Sequence, residues 1–240
     1  MTEELNKLEQ HHLFTQLLND STGFSDEADE DTVFTEYEYY VRNAGFYCVH
    51  LLELCKQLDN AIELFSNFNY SKSNKVGRIE HLKYNLENYI IRLTSISDRM
   101  LQLINGVFHL GTNEKSVNDR TILTNVKVDR TDVPKLYKVF NKTIKDYTSD
   151  RNAIVHRHAY LDDKLHRFKL FYNDELTQIA FDKKELNQES FKHRRKKMLT
   201  DFILDKKTVF KEINKNCFVT ILPIFDQLET EYNKQKKQLK

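Results

Sequence analysis

Glycine and proline are scarce in this chain of 240 residues, with five and two copies, and tryptophan is absent. Turn-makers this rare exclude a many-stranded sheet and point to long helices. Cysteine is scarce as well. Cys48, Cys55 and Cys217 are odd in number and show no CxxC pair, which argues against both a disulfide framework and a cysteine zinc site. The longest apolar run, FVTILPIF at 218–225, is interrupted by Thr220 and Pro223 and is too short to span a bilayer. The start, MTEELNKLEQHH, is polar and acidic and lacks the apolar stretch of a secretion signal. Neither a glycine-rich phosphate loop, an HExxH zinc helix nor an internal repeat occurs. From these absences we expect a reducing, cytoplasmic setting and no membrane association.

What the chain has instead is Leu, Lys, Glu, Asn and Phe, in a length that fits one large domain or a bundle with decorated ends. The net charge of +1 hides a lopsided distribution. Through Asn60 there are thirteen acids against three bases, about −10, which leaves about +11 on the remainder. A basic body is what an RNA backbone seeks, although ordinary solvated helix faces have the same composition.

Apolar spacing organises the chain. A first helix is expected from about Thr2 to Leu18, followed by an acidic linker, NDSTGFSDEADED, so that 1–32 reads as an N-terminal helix plus linker. Residues 33–240 read as a helical domain with a C-terminal helical extension. Its first long helix starts near Val33 and carries Tyr37, Tyr40, Ala44, Cys48, Leu51, Cys55, Leu58 and Ile62. The polar patch NYSKSNKVG breaks it, and a second long helix is expected from Arg78 to Leu110 with Gly111 as its stop. Two such helices joined by a short loop make an antiparallel hairpin. Residues 112–130 read as a surface connection. Pro134 suits the first turn of the next helix, with Asp132 as its cap. Ser149 or Asp150 then caps a helix with Arg151 in its first turn. Residues 168–181 alternate around Asn173-Asp174, as a small β-hairpin or an irregular helix would. The tail from Glu185 is helical, with an interruption at Pro223. The fold class is therefore all-α, a bundle of long antiparallel helices with a small hairpin or irregular insert.

Chemistry concentrates in Arg151-Asn152-Ala153-Ile154-Val155-His156. A guanidinium binds a phosphodiester through a planar fork of donors, and an imidazole exchanges a proton near neutral pH. Arginine and histidine with four residues between them, the first an asparagine, should occur by chance about 0.03 times in such a chain, whereas arginine followed by histidine after about four to six residues of any kind should occur about once. On an ideal helix Asn152 and His156 lie about 40° apart and Arg151 and His156 about 140° apart. His158, seven residues after Arg151, shares its face on the same helix and is the reserve histidine.

At these residues the chain resembles the HEPN superfamily, all-α proteins of which many are RNases in bacterial toxin–antitoxin, abortive-infection and CRISPR systems. Arg151, Asn152 and His156 fit its motif of arginine, a polar residue and histidine. His158-Ala159-Tyr160 fits the tyrosine that some members carry two residues after the histidine. The stretch IIRLTSISDRMLQLINGVFHLG also looks like the long second helix of one bacterial branch. The resemblance implies a homodimer whose two motifs line one cleft, and metal-independent cleavage of RNA to a 2′,3′-cyclic phosphate without a cofactor. It assigns His156 acid–base work, Arg151 the phosphorane charge, and Asn152 orientation of the imidazole or capping of the cleft. An antitoxin or a nucleotidyltransferase is the partner class it implies, and a catalytically silent module binding RNA, a nucleotide or a protein is the alternative.

Other readings stand beside this. Arg151, Asn152 and His156 equally suit a surface or a helix-packing network. His156, His158, Asp162 and Asp163 offer metal-ligand chemistry, but HxH on a helix splays its imidazoles by about 200°. Arg92, Asp98 and Arg99 belong to a polar stripe that is either solvated or borders the cleft, where Asp98 would orient the motif and the arginines would touch phosphate. Lys192, Arg194 and Arg195, within KHRRKK, either grip RNA or line a solvated helix. His11, His12, His109 and His193 read as surface or packing histidines.

Overall fold

A computed structural model describes residues 2–24, 33–66, 76–160, 162–172, 174–182 and 187–240, apart from the side chains of 170, 174–176 and 180. The helices are α1 (Glu3–Glu9), α2 (His12–Ser21), α3 (Glu36–Leu64), α4 (Arg78–Val107), α5 (Asp119–Leu123), α6 (Val126–Asp129), α7 (Val133–Ile144), α8 (Thr148–His156), α9 (Asp163–Phe171), α10 (Asp174–Asp182) and α11 (Gln188–Leu239). Among the described residues there is no strand, so the all-α class holds and the hairpin does not form. In its place stand α9 and α10, because Leu165 and Phe168, three apart, are both buried and set a helical period. The acidic stretch 25–32 lies outside the described residues.

Two compact units form, one from Met1–Asp59, Arg92–Asp146 and Ile213–Lys240, the other from Asn60–Ile91 and Tyr147–Glu212. In the first, the apolar stripes of the sequence are the core: Leu51, Leu93, Ile96, Ile104, Phe140 and Phe225 are wholly buried. Polar side chains stitch the helices at their ends. The Tyr40 hydroxyl donates to the Val107 carbonyl at 2.8 Å, and the Tyr40 ring stacks on Tyr232 at 5.6 Å. Tyr232 donates to Asp20, which also receives the Lys236 ammonium.

Several expectations are corrected in this unit. The first helix is two, α1 and α2, because His11 adopts an extended conformation and its Nδ1 accepts the Leu13 N–H at 3.1 Å, capping a new helix. His11 and His12 then meet Asp226 at 3.1 Å and Glu229 at 2.6 Å. The α4 helix stops before Gly111. His109 takes the left-handed position at φ 49°, the Leu110 N–H reaches the Asn105 carbonyl and the His109 N–H the Gly106 carbonyl, a Schellman ending with histidine rather than glycine at its left-handed residue. The His109 ring, 5.3 Å from that of Tyr40, occupies the space this conformation gives it. The connection 112–130 contains α5 and α6, anchored by buried Ile122 and Val128. Asp132 precedes α7 but does not cap it through its side chain; the Thr131 hydroxyl accepts the Val133 N–H instead. Pro223 does not interrupt α11. The residue whose carbonyl it deprives of a donor, Val219, is exposed, so water can satisfy that group.

In the second unit Phe65 packs on Phe202 and Phe210, with centroids 6.1 and 5.9 Å apart, and Tyr89 stacks on Phe210 at 3.7 Å. Ile79, Leu82, Leu86, Ile90, Leu199 and Ile203 belong to the same buried apolar set.

Asn105 is the clearest single polar staple, since its amide donates to the Thr112 carbonyl at 2.9 Å and accepts the Thr112 N–H at 3.2 Å from a position 5% exposed. Asn105→Ala is expected to cost about 2 kcal/mol by leaving two backbone groups unpaired, read as a lower denaturant midpoint at unchanged slope.

Candidate functional site

The motif occupies α8, a nine-residue helix with no buried residue. A 3-10 turn, Lys145–Tyr147, leads directly into it from α7, so the helix begins earlier than expected. Tyr147 holds the cap position but its side chain does not cap the helix, Ser149 and Asp150 lie inside the first turn, and Arg151 is the fourth helical residue. The other end is abrupt. The Ala153 carbonyl accepts the N–H groups of both Arg157 and His158, each at 2.9 Å, which closes the helix at His156.

This ending places the two histidines differently. His156 is the last helical residue and is exposed, while His158 lies beyond the helix, exposed, with its Nδ1 3.0 Å from the Ala159 carbonyl. Arg151 and His158 therefore do not share a helical face, contrary to the seven-residue spacing. Arg151 is half-buried and its Nη1 donates to Asn152 Oδ1 at 3.1 Å. The asparagine amide here fixes the guanidinium.

The segment after α8 is pinned more firmly than the helix. The Tyr160 N–H donates to Glu87 Oε1 at 2.8 Å. Burial, with the carboxylates of Asp150 and Asp162 nearby, pushes the Tyr160 phenol up to about 12. Asp162 pairs with Lys206 at 2.8 Å and accepts the Leu165 N–H at 3.0 Å. Burial works against its ionisation, but the Lys206 ammonium and the Leu165 N–H outweigh that and hold the carboxyl below its ordinary range. Asp162 is thereby engaged by protein groups, and among the described residues no three His, Cys, Asp or Glu side chains gather as a metal group.

Arg92, Arg99 and Arg195 among the remaining candidates have partners of their own. Arg92, Asp98 and Arg99 belong to the first unit, where Arg92 donates to Gln57 at 3.0 Å and Arg99 to Gln102 at 2.9 Å. In the second unit Lys192 and Arg194 are exposed on α11. Arg195 lies over the Tyr172 ring at 4.6 Å and the Phe191 ring at 5.8 Å, a cation–π arrangement that leaves the edge of the guanidinium able to donate elsewhere.

Sequence reasoning missed a cavity of about 500 Å³ in the same unit, whose wall includes Tyr147 and Tyr160 from either side of α8 together with Lys164, Lys206 and Thr208. No local spacing signals it, because its walls come from segments more than forty residues apart in the chain.

A family model described as HEPN_Cthe2314-like HEPN matches residues 5–229. No curated protein and no solved structure matches the chain. Among the described residues no helix is long and apolar enough to cross a membrane.

The Asp162 carboxyl gives a pH test. A carboxyl held low in the folded state contributes stability that is fully present above its unfolded value of 3.8 and is lost as pH falls through the lowered folded value. The stability difference between the wild type and Asp162→Asn should be constant from neutral pH down to about 5 and close in stronger acid, measured by urea unfolding across pH.

Proposed function

We propose, from the premise that this chain belongs to the HEPN_Cthe2314-like HEPN family, that it is a metal-independent endoribonuclease whose working groups are Arg151, Asn152 and His156. The observation that carries this reading is the state of α8: a helix with nothing buried, a guanidinium held by the adjacent amide, and an exposed imidazole at the terminus. These groups are free to meet a substrate, which a helix-packing network would not leave them.

In this mechanism the ribose 2′-hydroxyl attacks the adjacent phosphorus and gives its proton to His156. The 2′-oxygen–phosphorus bond forms, the bond to the 5′-oxygen breaks, and the leaving oxygen takes a proton from the partner's His156. Arg151 donates to the phosphorane oxygens as charge builds there, and Asn152 keeps its fork aimed. About 140° of helix separates Arg151 from His156, so a second protomer supplies the complementary groups. The products are a 2′,3′-cyclic phosphate and a 5′-hydroxyl, and DNA, without the 2′-hydroxyl, is not cut. Such an activity belongs to a cytoplasmic defence or toxin–antitoxin setting, restrained by an antitoxin or a nucleotidyltransferase partner. Lys192 and Arg194 add sequence-independent affinity for the backbone.

The test is incubation of the purified chain with tRNA and mixed RNA in EDTA. Cyclic-phosphate ends are expected, with Arg151→Ala and His156→Ala each lowering the rate by about 10²-fold or more. Binding of RNA without cleavage would replace the enzyme by a silent RNA-binding module, and loss of cleavage through His158→Ala alone would move the acid–base role to His158.

A further inference from the structure

The cavity of about 500 Å³ in the second unit is of the size that takes a nucleoside. Its floor is apolar, from Leu86, Ile90 and Phe210, all buried. Phe210 cannot swing away, since its ring stacks on Tyr89 at 3.7 Å and its carbonyl accepts the Tyr89 hydroxyl. Above this floor the wall is polar and aromatic. Tyr147 immediately precedes α8 and Tyr160 follows His156 by four residues, so both flanks of the motif helix contribute to it. We propose that this cavity is a nucleobase-binding site, which receives one base of the RNA engaged at the motif.

Charge decides against a phosphate as its occupant. Lys164 and Lys206 both line it, but Lys164 is paired with Asp205 at 3.5 Å and Lys206 with Asp162 at 2.8 Å. Each lysine of the wall is thus compensated by a carboxylate, Asp205 within the wall and Asp162 behind it, so neither ammonium is left over for a phosphate. Aromatic rings supply faces on which a planar heterocycle stacks. Hydroxyls supply edge recognition: Tyr160 keeps its proton at neutral pH, and Thr208, whose own proton goes to the Leu204 carbonyl at 2.9 Å, presents lone pairs to a donor. The hydrogen bonds from Tyr160 N–H to Glu87 and from Leu165 N–H to Asp162 fix the wall in advance of binding. The assignment of the base to RNA rests on the ribonuclease reading, while affinity for a base does not.

Adenosine, guanosine, cytidine and uridine are titrated separately into the full chain, with calorimetry and ligand-observed NMR as readouts. At least one nucleoside is expected to bind with a Kd below about 1 mM. Thr208→Trp, which fills the mouth from an exposed position, should weaken that binding at least about tenfold, or 1.4 kcal/mol, with an unchanged melting curve. Val209→Trp, on the same rim, serves if Thr208→Trp perturbs folding. Absence of binding by all four nucleosides, or binding that neither rim variant weakens, would overturn the proposal. No cleavage enters this assay, so the two readings fail separately. A chain that binds a nucleoside here but cuts no RNA loses the ribonuclease reading and keeps the pocket; one that cuts RNA but binds no nucleoside does the reverse.

Discussion

Removal from water of apolar side chains spaced three and four apart is the constraint on which the rest of the molecule depends. Within each unit it fixes the stretches of α3, α4 and α11 that belong there, through residues such as Leu51, Leu93 and Phe225 in one and Leu86, Leu199 and Phe202 in the other. The helix carrying the motif contributes no fully buried side chain. Its placement is borrowed from the next stretch of chain: Tyr160 on Glu87, Asp162 on Lys206, and the buried Leu165. A helix positioned by its flanks can keep its polar side chains for other work, at the cost of the packing energy that apolar ones in their place would have added.

The long helices were legible because a helical period extends over many turns, and no competing signal interrupts it. The illegible features turned on single residues. A histidine at position 11 ends one helix and caps the next through its ring, and a histidine at 109 takes the left-handed turn that glycine usually fills, with a tyrosine ring to pack against. Neither role is written in residue type. Pro223 misled in the opposite direction: a proline removes one hydrogen bond and crowds the preceding turn, yet α11 runs through it with the orphaned carbonyl at exposed Val219. The loose alternation at 168–181 was outweighed by Leu165 and Phe168, one turn apart and both buried.

At the candidate site the contiguous part was legible and the dispersed part was not. Arg151, Asn152 and His156 fall within six residues, so the sequence displays them together, whereas the hydrogen bond from the guanidinium to the amide, and the double acceptance by the Ala153 carbonyl that ends the helix, are facts of geometry. The same double acceptance separates the two histidines in kind: one remains on the helical lattice and the other leaves it. The cavity beside them is assembled across distant stretches of chain, and an ion pair such as that of Asp162 with Lys206 has no periodic trace.

The three thiols have a practical corollary. Cys48, Cys55 and Cys217 are buried and reduced, and burial pushes Cys48 and Cys217 up to about 12 and Cys55 well above its ordinary value, so the native fold withholds the thiolate that alkylating reagents need. A spin label or fluorophore directed to a cysteine introduced on the surface would then attach there without deletion of the natural three, and late modification of those three would time the opening of the core around them.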